Sequence, residues 1–149
     1  MTDIFKLASF FRAGIEKASK EHDDPFFVSF PRGQCMRTSD MLSQFLIDNG
    51  ISPIYMVCGA YYTRRNCYTH AWLYVHDNIV DITADQFRNR RDAIFSNVPV
   101  YVTPTSKFHS QFEVDERYPS DHFGINKNFT NYYNLKILYG IIQKYIPYD

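Results

Sequence analysis

Apolar residues recur at Ile4, Leu7, Ala8, Phe11 and Ile15, the spacing that lines one face of a helix, with Thr2 at an N-cap position. A first helix is therefore predicted over residues 3–20. The stretch 21–33, with prolines around Phe26-Phe27-Val28, reads as a loop leading into a short extended piece. From Cys35 the apolar positions Met36, Met41, Leu42, Phe45 and Leu46 predict a second helix, ended by Asn49-Gly50. Residues 54–62 are rich in strand formers. Two further runs, 68–75 and 79–83, flank the polar His76-Asp77-Asn78 and predict a hairpin. Another strand is expected over 98–103, no periodicity is legible over 104–131, and Leu135, Leu138, Ile142 and Tyr145 give 132–145 helical spacing. The pattern is α+β: N-terminal helices packed on an antiparallel sheet, with a C-terminal helix. With no repeat or linker, residues 1–149 read as one domain.

Composition supports a folded core, since 45% of the 149 residues are hydrophobic and 17% aromatic. Sixteen basic residues balance sixteen acidic ones, and no like-charge run exceeds Arg64-Arg65 or Arg90-Arg91. Overall charge thus points to neither nucleic acid nor a membrane surface, while neutrality admits self-association. No apolar run approaches the roughly 20 residues of a membrane span. Three cysteines cannot all pair within one chain, and Met1 leads into a charged helical segment rather than a signal peptide. A reducing, cytoplasmic setting is expected, which also fits a delivered effector or toxin domain.

Cys35 opens its helix directly after Pro31-Arg32-Gly33-Gln34, and His70 lies in the strand pattern His70-Ala71-Trp72-Leu73-Tyr74-Val75. A thiolate is the nucleophile of a cysteine enzyme, and an ordinary thiol with a pKa of about 8.5 is mostly protonated at neutral pH. The positive end of a helix and a neighbouring imidazolium both stabilise the anion. The Cys35 backbone N–H is placed to donate to a developing oxyanion, and Gly33 leaves room for substrate. Cys58 and Cys67 read as small buried hydrophobes, and His22, His76, His109 and His122 as solvent-facing loop residues. Cys67 and His70 have ligand-like spacing, but no second pair completes a structural zinc site, so no metal or cofactor is expected.

The third member of the constellation is ambiguous. In an ideal hairpin turning at Asp77-Asn78, His70 lies opposite Asp85, and Asp81 is roughly 13 Å nearer the turn at about 3.4 Å per residue. A bulge or longer turn would bring Asp81 into reach. Asp81, in an apolar strand, needs a partner, whereas Asp85 is also suited to cap a helix over 86–95.

Taken together, Gly33-Gln34-Cys35, Asn49-Gly50-Ile51-Ser52-Pro53, Val57-Cys58-Gly59-Ala60-Tyr61, His70-Ala71-Trp72 and Asp81-Ile82-Thr83 resemble the transglutaminase-like core of the papain-fold superfamily. The likeness spans residues 30–87. It implies a Cys-His-Asp triad of Cys35, His70 and Asp81, with Asp85 the alternative third member. The implied chemistry is peptide or isopeptide hydrolysis, glutamine deamidation or acyl transfer through a thioester, on a protein or peptide substrate. Arg32-Gly33-Gln34-Cys35 also looks like part of the arylamine acetyltransferase motif. The chain departs from the superfamily pattern at Ile82, where proline is usual, and in having no upstream oxyanion tryptophan or glutamine; Ser29 and Gln34 are the candidates there. That gap motivates the alternative of an inactive papain-fold domain that binds a protein segment.

Overall fold

The computed structural model describes residues 3–89, 94–120 and 132–148. Its elements run α1 (Ile4–Ala18), α2 (Pro25–Ser29), α3 (Cys35–Asp48), β1 (Ile54–Tyr62), β2 (Cys67–Val75), β3 (Asn78–Asp81), a 3-10 turn (Ala84–Phe87), β4 (Tyr101–Thr103), α4 (Lys107–Ser110), β5 (Glu113–Pro119) and α5 (Tyr132–Tyr145). The five strands form one antiparallel sheet in the order β4-β3-β2-β1-β5. This is the α+β arrangement expected. Among the described residues no helix is long and apolar enough to cross a membrane.

Alternation along β2 divides the interior in two. Ala71, Leu73 and Val75 face Phe11 and Ile15 of α1, Met41 and Phe45 of α3 and Leu138 and Ile142 of α5 in the main core. Trp72 points to the other face, into a smaller cluster with Val57, Phe87, Ile94, Phe108 and Phe112. Because side chains in a strand alternate with period two, His70 shares the face of Trp72, and its ring meets those of Trp72, Phe87, Phe108 and Phe112. The site histidine is thus embedded in the aromatic cluster.

Several local expectations need correction. Asp3 caps α1 by accepting from the Phe5 and Lys6 amides, while Thr2 lies outside the described residues. The loop over 21–33 contains α2, started by Asp24 as N-cap with Pro25 in the first turn, and its Phe26 and Phe27 are buried. The tract 104–131 holds α4 and β5. β5 was illegible because all but one of its residues, Tyr118, are exposed and its Glu-Val-Asp-Glu-Arg pattern has no apolar face. Charge on an edge strand of this kind discourages pairing with another chain. Where a helix over 86–95 was expected, the described part is only the short turn at Ala84–Phe87.

Candidate functional site

Cys35 is the first residue of α3 and is partly buried. Gln34 holds the N-cap position without a side-chain bond to the first turn, so no side chain competes for the amides beside the thiol. Gly33 has φ +70, a left-handed conformation that glycine adopts without the Cβ penalty. This turn points the Gly33 amide at the 3-10 segment, where it donates to Gln86 Oε1 at 3.1 Å.

The hairpin fixes which aspartate meets the histidine. His76 and Asp77 both have positive φ, and the pairs Val75 with Asn78 and Leu73 with Val80 define a two-residue turn at His76-Asp77, one position earlier than the ideal turn drawn from sequence. Continued outward, this register sets Asp81 diagonally across from His70 on the same face, a Cβ separation of roughly 7–8 Å that side chains span without any bulge. His70 Nε2 accordingly donates to Asp81 Oδ2 at 2.7 Å. Asp85 has a different partner: its carboxylate takes a two-pronged bond from Arg12, at 2.8 Å for each oxygen, and neither oxygen goes to His70. Arg12 also donates to the Ile82 carbonyl at 2.8 Å, so α1 clamps the turn that carries Gln86.

His109 was expected in solvent but is buried in α4. Its Nε2 donates to the same Asp81 Oδ2 at 2.6 Å, while Ser106 Oγ bonds its Nδ1 at 2.7 Å. The other Asp81 oxygen accepts from the Thr83 amide at 2.8 Å and the Thr83 hydroxyl at 3.3 Å. The carboxylate therefore has four donors.

These contacts set the proton affinities. Burial alone would push the Asp81 carboxyl up, but the charge and hydrogen bonds of His70 and His109 hold it well below the ordinary carboxylate range. For His70, burial opposes the charged form, yet Asp81 and then Cys35 outweigh it and raise the imidazole to about 9. Burial likewise opposes ionisation of the Cys35 thiol. Its hydrogen bond to His70, the charge of that ring, the Ala71 backbone and the Gln86 side chain reverse the balance and lower its pKa. Cys58 behaves oppositely, pushed up to about 11 by burial and by Glu116. Cys67 is exposed rather than buried.

Gln86 is the residue that sequence reasoning missed. Because the Gly33 amide can only donate, it fixes Oε1 of Gln86 and turns the NH₂ group toward the site, where Nε2 lies 3.0 Å from His70 Nδ1 and the side chain helps to lower the Cys35 pKa. The available signal was an amide three residues after the buried Asp81-Ile82-Thr83 turn, between Asp85 and the apolar Phe87. Neither Ser29 nor Gln34 shows a bond to Cys35 or His70. Ser29 is exposed, and Gln34 Oε1 is buried without a hydrogen-bond partner.

His70, Asp81 and His109 offer three metal-ligand atoms within 4.8 Å of one another. Ligands about 2.0–2.2 Å from one ion stand roughly 3 Å or more apart, whereas both nitrogens here lie at 2.6 and 2.7 Å from a single oxygen. The set fits two N–H···O⁻ bonds, not chelation. A polar cavity of about 400 Å³ is lined by Arg32, Gln86, Phe87 and Asn89. A larger one, about 540 Å³, lies over Val57, Trp72 and Tyr74 with His109 in its wall, and none of Cys35, His70 and Asp81 lines it. No family model, curated protein or solved structure matches the chain.

Proposed function

We propose that the protein is a cysteine-dependent acyl enzyme with a papain or transglutaminase-like core, acting on an amide of a protein or peptide. The observation that carries this reading is the buried bond from His70 Nε2 to Asp81 at 2.7 Å, on an imidazole whose proximity lowers the pKa of the Cys35 thiol. A partly accessible thiol is paired with a base whose far nitrogen is held by a buried carboxylate, the arrangement of an activated nucleophile. The thiolate forms a bond to the carbonyl carbon as the π pair moves to oxygen. On collapse the carbon–nitrogen bond breaks, and His70 gives its Nδ1 proton to the leaving amine. Water then attacks the thioester, His70 takes its proton, and the acid leaves as the thiol is restored; an amine in place of water gives transfer.

The test is selective chemistry at Cys35. Iodoacetamide at pH 6.5 should alkylate Cys35 faster than Cys58 and Cys67, and p-nitrophenyl acetate should leave one acetyl group on Cys35. His70→Ala should abolish both preferences. Three thiols of equal sluggishness, with no acyl-enzyme, would reject the enzyme. The alternative of an inactive domain that binds a protein segment, motivated by the lack of an upstream oxyanion donor, is the reading that this second outcome would favour.

A further inference from the structure

On the reading of Cys35 as nucleophile, we infer that Gln86 supplies the second oxyanion donor, with the Cys35 backbone N–H as the first. An oxyanion donor has to be preorganised: its amide must already be held beside the place where negative charge appears, so that only a small shift of its N–H is needed during reaction. Gln86 meets this on three counts. Its Oε1 is tied to the Gly33 amide at 3.1 Å, which excludes the flipped orientation of the side-chain amide. Its Nε2 stands 3.0 Å from His70 Nδ1, and the side chain is close enough to Cys35 to favour the thiolate. Its turn is locked from behind by the pairing of Arg12 with Asp85 and by the Arg12 bond to the Ile82 carbonyl.

The exchange of hydrogen bonds during reaction is coherent. With His70 neutral at Nδ1, the ring lone pair accepts one Gln86 hydrogen. Once the Cys35 proton is on Nδ1, that acceptor is gone and the amide hydrogen turns to the thiolate. When sulfur attacks, the negative charge passes to the carbonyl oxygen, and the amide follows it. Gln86 also lines the polar cavity with Arg32, Phe87 and Asn89, so its side chain is open to a carbonyl group entering there. A glutamine downstream of the aspartate thereby fills the role for which the chain has no residue upstream of the cysteine.

Two reactions of the same thiol separate this role from simple support of the thiolate. Alkylation by iodoacetamide displaces iodide and forms no oxyanion, whereas acylation by p-nitrophenyl acetate passes through one. Both are measured at a pH where the thiol is fully ionised. In Gln86→Ala, acylation should fall about 10²- to 10³-fold, while alkylation stays within about threefold. Gln86→Glu keeps the length and the acceptor for Gly33 but loses both N–H groups, and it should show the same divergence. Equal loss in both reactions, or loss in neither, overturns the oxyanion role while leaving the Cys35 nucleophile standing. A wild-type protein that neither alkylates selectively nor acylates at Cys35 sinks both readings.

Discussion

Replacing Arg12 with methionine should be among the most damaging single changes outside the site. The guanidinium makes three buried bonds of 2.8 Å, two to Asp85 and one to the Ile82 carbonyl, and Asp85 is 4% exposed. Methionine fills much of the volume but leaves a carboxylate in the interior without its counter-charge. Removing one partner of a buried ion pair costs about 3–5 kcal/mol, because the remaining charge has lost water and gained nothing. Against a total of about 5–15 kcal/mol this is a large share, and it corresponds to a melting temperature lower by roughly 6–20 °C for a chain of this size. The assay is urea unfolding at pH 7 followed by the fluorescence of Trp72, the one tryptophan and a buried one. The double variant Arg12→Met with Asp85→Leu removes the stranded charge and should recover most of the loss. A single variant destabilised by less than about 1 kcal/mol, the scale of an exposed pair, would refute the reasoning, as would a double variant no better than the single.

Five further outcomes follow from the same geometry. The pH dependence of Cys35 alkylation should inflect below the ordinary thiol value of about 8.5 and return upward in His70→Ala. Acyl turnover should decline as pH rises through about 9, where His70 loses the proton it donates to the leaving group; an alkaline limb absent up to pH 10 would contradict this. Stability carries the matching sign: the folded pKa of His70 lies above its unfolded value, so its pairing contributes fully below about pH 6.5 and is lost as pH rises through about 9. Melting curves should show this alkaline decline in wild type and lack it in His70→Phe. His109→Phe removes one of two ring donors to Asp81 and should lower kcat roughly tenfold, the equivalent of one charge-assisted bond, with KM unchanged in steady-state kinetics. In Gly59→Ala the new Cβ would stand 3.0 Å from the Glu113 carbonyl oxygen and 3.0 Å from Phe112 Cβ. Strand β5 would have to shift, at about 1–3 kcal/mol in denaturant unfolding.

What the sequence made legible was whatever has its own periodicity. The α1 stripe, the helix opening at Cys35 and the hairpin each declare themselves by spacing, and with them come the sulfur, the imidazole and the nearby carboxylates. The choice between Asp81 and Asp85 was not legible, because it depends on where the turn closes. Placing the loop at His76-Asp77 instead of Asp77-Asn78 shifts the register by two residues, and Asp81 becomes the diagonal neighbour of His70. His109 and Gln86 were hidden for another reason. Both sit in short segments with no periodic face, and their importance comes from contacts 28 and 16 residues away in sequence. β5 escaped because its residues face solvent and answer to edge protection rather than to core packing.

Asp81 and Asp85 also show how neighbouring carboxylates acquire opposite roles from their donors alone. Asp85 is matched by a guanidinium that holds its charge permanently, so its lone pairs are committed to fastening α1 to the turn. Asp81 has about four acceptor positions, and His70, His109 and the two Thr83 groups fill them. With no lone pair left over and its pKa held far down, it has no capacity to take a proton from His70. Its effect is instead to orient the imidazole, leaving Nδ1 beside the Gln86 amide at 3.0 Å, and to stabilise the charge that ring acquires. A second histidine on the same oxygen makes that carboxylate a weaker attractor for His70 than it would be alone, and a more rigid one. The position of the ring then depends on α4, reached through His109, as well as on the hairpin.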